Sequence, residues 1–379
     1  MGPIGFDKKR ADRVMKEQGV DAMVLFYPVN IFYTSGMPIL ANDVLPFWGI
    51  VSMLSDFPAI SIIPRGSDQI LVGLTSAARD VRIHSWVADF RTYSSRDHAF
   101  EVLRKALVEK GVSRGTIAID EMTPTFAYES LRKHLPAITV KLTADDILNK
   151  VKIIKTEEEI RRLKKAGEIG QKAIMAAIDN IREGIQITEL VQTVKSTIIK
   201  EGGTGWNHTN VWCEKPVEED KAWFSKLRKG DIIHIDIGAV YHGYSSDLRR
   251  TAIIGEVPKE VEKIYGLILE TSEKCMNAMK PGVKLSHIYH LAHDDFRKAG
   301  YGGTFSSSIG HSIGVKDVEA PMISPDSLET FKPNMAFCME MWYIIKRCPM
   351  FGVGVEDTGI ITEKGFERFT TIDRDIYTK

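Results

Sequence analysis

Four acidic residues stand in stretches that otherwise read as buried strands: Asp236 in DIIHIDIG, Asp247 in SSDLRRTAII, Glu340 in NMAFCMEMWY and Glu356 in GVGVEDTGIIT. An unpaired buried carboxylate costs several kcal/mol, so four of them in one half of a chain need a common partner. A shared cation site is the economical explanation. The four carboxylates carry −4 and two divalent cations carry +4, leaving His311, set between glycines in SSIGHSIG, as a neutral nitrogen donor. Oxygen-rich ligation with one imidazole favours Mn, Co, Fe or Zn over a thiolate-type site.

Strand alternation places Ile233, Ile235 and Ile237 on one face and Ile232, His234 and Asp236 on the other, and groups Asp247 with Arg249 and Thr251. A hairpin turning at Tyr241 and His242 sets Asp236 directly opposite Asp247, with Cβ atoms about 4.5–5.5 Å apart. Asp357 follows Glu356 onto the other strand face and is not counted as a ligand. His234 reads either as a group supporting the metal site or as a core histidine, and Asp317 and Glu319 as loop residues beside the site. His287, His290 and His293, three apart, read as a solvated helix face.

The 379 residues, 44% of them hydrophobic, suffice for two domains with separate cores. Fifty basic residues balance fifty acidic ones, so no global field draws the chain to nucleic acid or an acidic membrane. The four cysteines, Cys213, Cys275, Cys338 and Cys348, include no CxxC pair and read as buried small apolar residues in a reducing compartment. The start, MGPIGFDKKRADRVMK, lacks the apolar core of a signal peptide, and no apolar run is long enough to span a membrane; a cytoplasmic address is expected.

The elements that would position the acidic residues follow from periodicity. Asp7 to Gln18 is an amphipathic helix closed by Gly19, followed by strands at DAMVLFYP, WGIVSML, AISII, QILVGL, TIAID and ITVKL, with a helix at HAFEVLRKALVEKG. Residues 1–150 are read as an α/β domain. Residues 151–379 open on a long helix whose Thr156 and Glu159 form a capping box. Its small or apolar stripe is Ile160, Leu163, Gly167, Gly170, Ile174 and Ala177, with Glu, Arg and Lys facing water. A second helix, 185–201, and the helix in EVEKIYGLILETSEKCMNAM flank strand-rich sequence, giving an α+β half with helices packed on a curved antiparallel sheet.

The order Asp, Asp, His, Glu, Glu within IDIGAVYHGYSSDLRRT, GHSIG, FCMEMWY and GVEDTGIIT resembles the pita-bread metallopeptidase family that contains methionine aminopeptidases, Xaa-Pro dipeptidases (prolidases) and creatinase. NIFYTSG and KIIKTEEEIRRLKKA resemble the amino-terminal domain and first catalytic helix of the prolidase and creatinase branch. The resemblance implies a two-domain α+β architecture, with an N-terminal α/β creatinase/prolidase-type domain and a C-terminal pita-bread catalytic domain. It implies metal ligation by Asp236, Asp247, His311, Glu340 and Glu356, and catalytic roles for Glu340 in proton handling and for His208 at the tetrahedral intermediate. It further implies two divalent ions, Mn first among them, a metal-bridged hydroxide, a dipeptide or other small-molecule substrate, and a homodimer.

The chain departs from that pattern. Val318 stands where family peptidases place a second histidine, Gly354 where prolidase-like enzymes have arginine, and the usual Glu-Pro pair is Glu340-Met341. His208 precedes Asp236 by 28 residues, with CEKPVEEDKAWFSK reading as an insertion between them. Two reactions therefore remain open, with a catalytically inactive binding module behind them: Xaa-Pro dipeptide hydrolysis, or chemistry on a small non-peptide, either C–N hydrolysis as in creatinase or sulfonium-lyase-type elimination. Trp206, Trp212 and Trp342 read either as core or as an aromatic surface for a cationic group.

Overall fold

The computed structural model describes residues 3–37, 59–213, 226–302, 305–345 and 348–379, and divides into two units, Met1–Lys152 and Ile153–Lys379. The strand expected at WGIVSML lies outside the described residues, as does nearly all of CEKPVEEDKAWFSK.

In the first unit six strands, β1 (Ala22–Leu25), β2 (Ile60–Pro64), β3 (Ile70–Leu74), β4 (Asp89–Tyr93), β5 (Gly115–Ile119) and β6 (Ile138–Lys141), form a sheet in the order β4-β3-β2-β1-β5-β6. The β1–β2 and β2–β3 pairs are antiparallel and the other three parallel. Parallel neighbours need long crossovers, which the helices provide. These are α1 (Lys8–Glu17), α2 (Pro28–Ser35), α3 (Ala78–His84), α4 (Arg96–Glu109), α5 (Thr125–His134) and α6 (Ala144–Lys152).

Asp7 caps α1 by accepting from the Arg10 N–H, and one face of α4 buries Phe100 and Leu103 against Val24, Ile62 and Ile117. The NIFYTSG stretch is helix α2, and its asparagine has a structural role. Asn30 is fully buried, donates to Asp120 (2.5 Å) and Asp145 (2.9 Å), and accepts from Lys152 Nζ (2.7 Å).

The second unit opens with α7 (Glu157–Asn180), whose Thr156 and Glu159 form both capping-box bonds, and α8 (Ile187–Lys200). The stripe of α7 is buried as its spacing predicts from Leu163 to Ala177, with Ile160 half-buried. Glu159 is the exception to acidic residues facing water. It is buried, its pKa raised by burial, and its free oxygen accepts from Tyr244 Oη at 3.1 Å.

Ten strands follow: β7 (Gly205–Cys213), β8 (Ile232–Tyr241), β9 (Tyr244–Ser245), β10 (Leu248–Ile253), β11 (Gly310–Ser312), β12 (Glu319–Met322), β13 (Ala336–Ile345), β14 (Cys348–Thr362), β15 (Gly365–Arg368) and β16 (Tyr377–Thr378). The main path is β12-β11-β13-β14-β10-β8-β7, antiparallel throughout; β15 pairs with β14, β9 with β8, and β16 lies parallel to β10. Two helix pairs cover it. The first pair, α7 and α8, buries Ile174, Leu190 and Val194 with Ile233, Ile235 and Ile237, while α9 (Lys259–Ala278) and α10 (Leu285–Lys298) bury Ile264, Ile268 and Phe296 with Phe337, Met339 and Met341. With one alternate face of each central strand committed to helices, the other face is left for Asp236, Glu340 and Glu356.

Candidate metal centre

The hairpin β8–β9–β10 differs from the expected one by one residue. The turn is His242–Gly243, with φ of +46° and +81°, because a tight two-residue hairpin needs two left-handed positions and the second falls on glycine. Moving the turn by one residue moves the register by two. Asp236 therefore faces Arg249 rather than Asp247, and Arg249 in turn faces Glu356 on β14. The shift is even, so Asp247 keeps its side of the sheet and lies one step along the diagonal.

On β13 and β14, Glu340 stands directly across from Glu356. His311 on β11 faces Cys338 on β13. The side chains of Asp247, His311, Cys338 and Glu356 are all buried, and their ligand atoms lie within 4.8 Å of one another. His311 Nε2 is 3.5 Å from Glu356 Oε1 and 3.8 Å from Asp247 Oδ2. Its Nδ1 lies 3.1 Å from the Ser312 carbonyl, a bond that assigns Nδ1 as the N–H and turns the Nε2 lone pair toward the carboxylates. Asp247 Oδ1 and Glu356 Oε1 are buried and accept no hydrogen bond among the described residues.

This cluster fits a cation. Glu356 is pushed well above the ordinary carboxylate range by burial and by the facing charges of Asp247 and Glu340, and Glu340 is raised by burial and by Asp236 and Asp247 against the pull of Arg249. His311 is raised to about 10 although burial opposes it, because Glu356, Asp247 and Glu340 outweigh that cost. Like charges that destabilise one another when empty are what a divalent ion relieves.

His208 is brought to the same place. A β-bulge in β7 between Trp206 and Thr209 re-aims it, so that Nε2 is 2.9 Å from Asp236 Oδ1 and 3.3 Å from Asp247 Oδ1, while Nδ1 is 3.5 Å from Asp317 Oδ2. Burial works against its charge, but Asp247, Asp236 and Asp317 more than compensate and its pKa is raised. Gly238 makes room for the ring, since a Cβ there would meet His208 Cε1 at 2.9 Å.

The structure therefore brings together Asp236, Asp247, His311, Glu340, Glu356 and His208. Three neighbours to which the sequence pattern gives no role join them. Arg249 pairs with Asp236 (3.0 Å) and Glu340 (3.3 Å) and lies over the Trp342 ring at 5.8 Å, although alternation had already placed it beside Asp247. Cys338, a small buried residue by its sequence context, faces His311, which brings its sulfur within 4.8 Å of the Asp247, His311 and Glu356 ligand atoms, while burial raises the thiol well above its ordinary pKa. Asp317, beyond being a loop neighbour, reaches His208 directly.

Glu319 corrects the sequence reading, because it is not a loop residue. It begins β12, is buried, pairs with the buried Lys155 at 2.9 Å, and accepts from the Val315 and Lys316 N–H groups, which shapes the segment carrying Asp317. Behind the centre, Arg250 ties β10 to β14 through the Glu356 carbonyl and Asp357 Oδ1 (2.8 and 2.7 Å). Asp357 is turned away into that network and touches no donor of the cluster, in line with its strand face.

The three tryptophans are half-buried and do not form one surface. Trp342 stacks on Arg249, Trp212 faces His234 in the β7–β8 register, and Trp206 packs toward the helices with Lys195 Nζ 5.0 Å above its ring. Trp342 also occupies the space beside Gly354, where a Cβ would come within 2.4 Å of the Trp342 Cβ. His287 and His290 are exposed, as a solvated face requires, whereas His293 is half-buried and stacks on Tyr289 beside Phe305.

Residues 161–363 match the model of metallopeptidase family M24 and residues 8–153 that of the creatinase/prolidase N-terminal domain. The chain is 29% identical over 375 residues to the Xaa-Pro dipeptidase of Pyrococcus furiosus, covering 97% of this chain and 99% of that one. Among solved structures, the prolidase of Pyrococcus horikoshii OT3 aligns with a TM-score of 0.82 at 25% identity, over 97% of this chain and 99% of that chain. The prolidase of Pyrococcus furiosus aligns with a TM-score of 0.80 at 27% identity, over 96% and 100%. With the acidic cluster on its sheet and a model match across more than half its length, the chain belongs to metallopeptidase family M24, in the two-domain creatinase/prolidase architecture.

Proposed function

We propose that the protein is a metal-dependent dipeptidase that cleaves Xaa-Pro dipeptides. The observation that carries this reading is the convergence of Asp247, His311 and Glu356, two of whose buried oxygens accept no hydrogen bond among the described residues, beside Asp236, Glu340 and His208 on one face of the sheet. A divalent ion held by Asp247, His311 and Glu356 would supply Lewis acidity to a scissile carbonyl and acidify a water. Glu340, whose pKa is raised and which borders the donors, takes the proton of the attacking water and passes it to the departing proline nitrogen. His208, oriented by Asp317, donates toward the carbonyl oxygen as negative charge builds there.

Of the possible ions, the oxygen-rich donors with one imidazole support Mn first, with Co, Fe or Zn after it. The family resemblance supports a homodimer, and cysteines without CxxC pairing support a cytoplasmic site of action. Among the described residues no helix is long and apolar enough to cross a membrane.

The test is hydrolysis of Xaa-Pro and non-proline dipeptides by purified protein reconstituted separately with Mn(II) and Co(II). Release of free proline, lost in Glu340→Gln and His208→Ala, is expected. Metal-loaded protein that cleaves no dipeptide would overturn the peptidase reading in favour of a small non-peptide substrate.

A further inference from the structure

The family resemblance leads to an expectation of two metal ions, but the strands place a fixed cation among the donors. Arg249 is the register partner of both Asp236 and Glu356, so its backbone lies between two of the five acidic and imidazole positions whatever its rotamer. Its guanidinium spans Asp236 Oδ2 (3.0 Å) and Glu340 Oε1 (3.3 Å), is mostly buried, and is backed by the Trp342 ring. The other Asp236 oxygen is engaged by His208 Nε2 at 2.9 Å. Both oxygens of Asp236 thus already face N–H donors.

The Asp247 side of the site is different. There Asp247 Oδ1 and Glu356 Oε1, both on side chains more than nine-tenths buried, accept no hydrogen bond among the described residues, although His208 Nε2 comes within 3.3 Å of Asp247 Oδ1, and His311 Nε2 lies 3.5 Å from Glu356 Oε1 and 3.8 Å from Asp247 Oδ2 with its other nitrogen held by a carbonyl. The same face carries one half neutralised by a guanidinium and one half whose carboxylates face only imidazole nitrogens.

We propose that Arg249 takes the place of the second ion, so that the centre holds a single divalent cation between Asp247, His311 and Glu356. A second divalent ion at Asp236 and Glu340 would have to displace the guanidinium from both carboxylates and then sit beside its charge. The guanidinium is held by its planar fork between the two carboxylates and lies over the Trp342 ring at 5.8 Å from its centroid. The inference rests on the metal-hydrolase reading and deepens it. Asp236 becomes a positioning residue for Arg249 and His208 rather than a ligand.

The experiment is a metal count on the full chain, dialysed against Mn(II) and separately Co(II) at saturating free concentration and analysed for bound ion per chain. Wild type is expected to hold one ion, and Arg249→Met, which removes the charge but keeps the bulk, two. Asp236→Asn should keep its one ion with affinity changed less than tenfold, whereas His311→Ala should lose it. Two ions on wild type would overturn the inference and leave the metallopeptidase reading standing. No ion on wild type would overturn both. An Arg249→Met protein that folds and still binds one would also refute the exclusion by Arg249. Should that variant fail to fold, loss of the ion from Asp236→Asn overturns the proposal and its retention supports it.

Discussion

Gly238→Ala probes the placement of His208 without replacing any charged group of the centre. A Cβ at this position would lie 2.9 Å from His208 Cε1, 3.0 Å from His208 Nδ1 and 2.9 Å from the Ser246 carbonyl oxygen. Ordinary contacts begin near ~3.5 Å, so about 0.5 Å must be found. The Ser246 backbone is fixed by its bonds with Ala239, including 2.8 Å from the Ser246 N–H to the Ala239 carbonyl, so the imidazole gives way first. Overpacking of this kind costs about 1–3 kcal/mol, which for a unit of this size lowers Tm by roughly 2–12 °C.

The kinetic effect should be larger, since displacement of a catalytic group by about 1 Å can cost 10²-fold. A fall in kcat of about 10–100-fold is expected, with bound metal unchanged. Steady-state kinetics on Gly238→Ala, His208→Ala and the double variant separate the causes. If alanine acts by moving His208, adding it to His208→Ala costs little further in kcat, although the clash with Ser246 still lowers Tm. A single variant with kcat within twofold of wild type and a reduced Tm would refute the role given to His208. Multiplicative losses in the double variant would show that Gly238 acts through something else.

Lys155→Met strands Glu319 and the nearby Glu159 as buried carboxylates without their cation, and should cost about 3–5 kcal/mol at neutral pH. The loss should shrink as pH falls and the carboxylates protonate, and Lys155→Met/Glu319→Gln should recover much of it in urea titrations; equal loss at all pH values would refute the pairing. Thr156→Ala removes the bond to the Glu159 N–H and should cost ~1 kcal/mol in the same assay, with no change in metal content. Metal capture should be coupled to proton release. His311 is raised to about 10 in the ion-free centre, so below that pH the ion must expel a proton, and apparent affinity should rise by up to about tenfold per pH unit from 7 to 9. Calorimetry in buffers of different ionisation enthalpy checks this, and a flat profile would refute it.

The acidic positions that converge in the structure are conspicuous in the chain because Asp236, Glu340 and Glu356 stand in apolar strands and Asp247 immediately precedes one. How they are arranged is not. Alternation is a parity rule: it places Asp247, Arg249 and Thr251 on one face but does not say which of them meets Asp236. The answer depends on one turn, and there His242 accepts a left-handed conformation so that Gly243 can be the second turn residue. That local choice exchanges a carboxylate opposite Asp236 for a guanidinium.

Cys338 escaped notice for a different reason. Its composition signal, one cysteine among apolar neighbours, is the same whether it fills a core or faces a ligand, and only the β11–β13 register next to His311 distinguishes them. Glu319 and Lys155, 164 residues apart in sequence, show the limit of periodicity altogether, since nothing local to either indicates a buried partner. The glycine at 354, where prolidase-like enzymes have arginine, fits into the same arrangement. Gly354 lets β14 come close to the Trp342 Cα and Cβ, Arg249 lies over the Trp342 ring, and Arg249 neutralises Asp236 and Glu340. An arginine absent from one strand and present on the next thus changes what the carboxylates require, and the ion count should follow the guanidinium rather than the number of acidic residues.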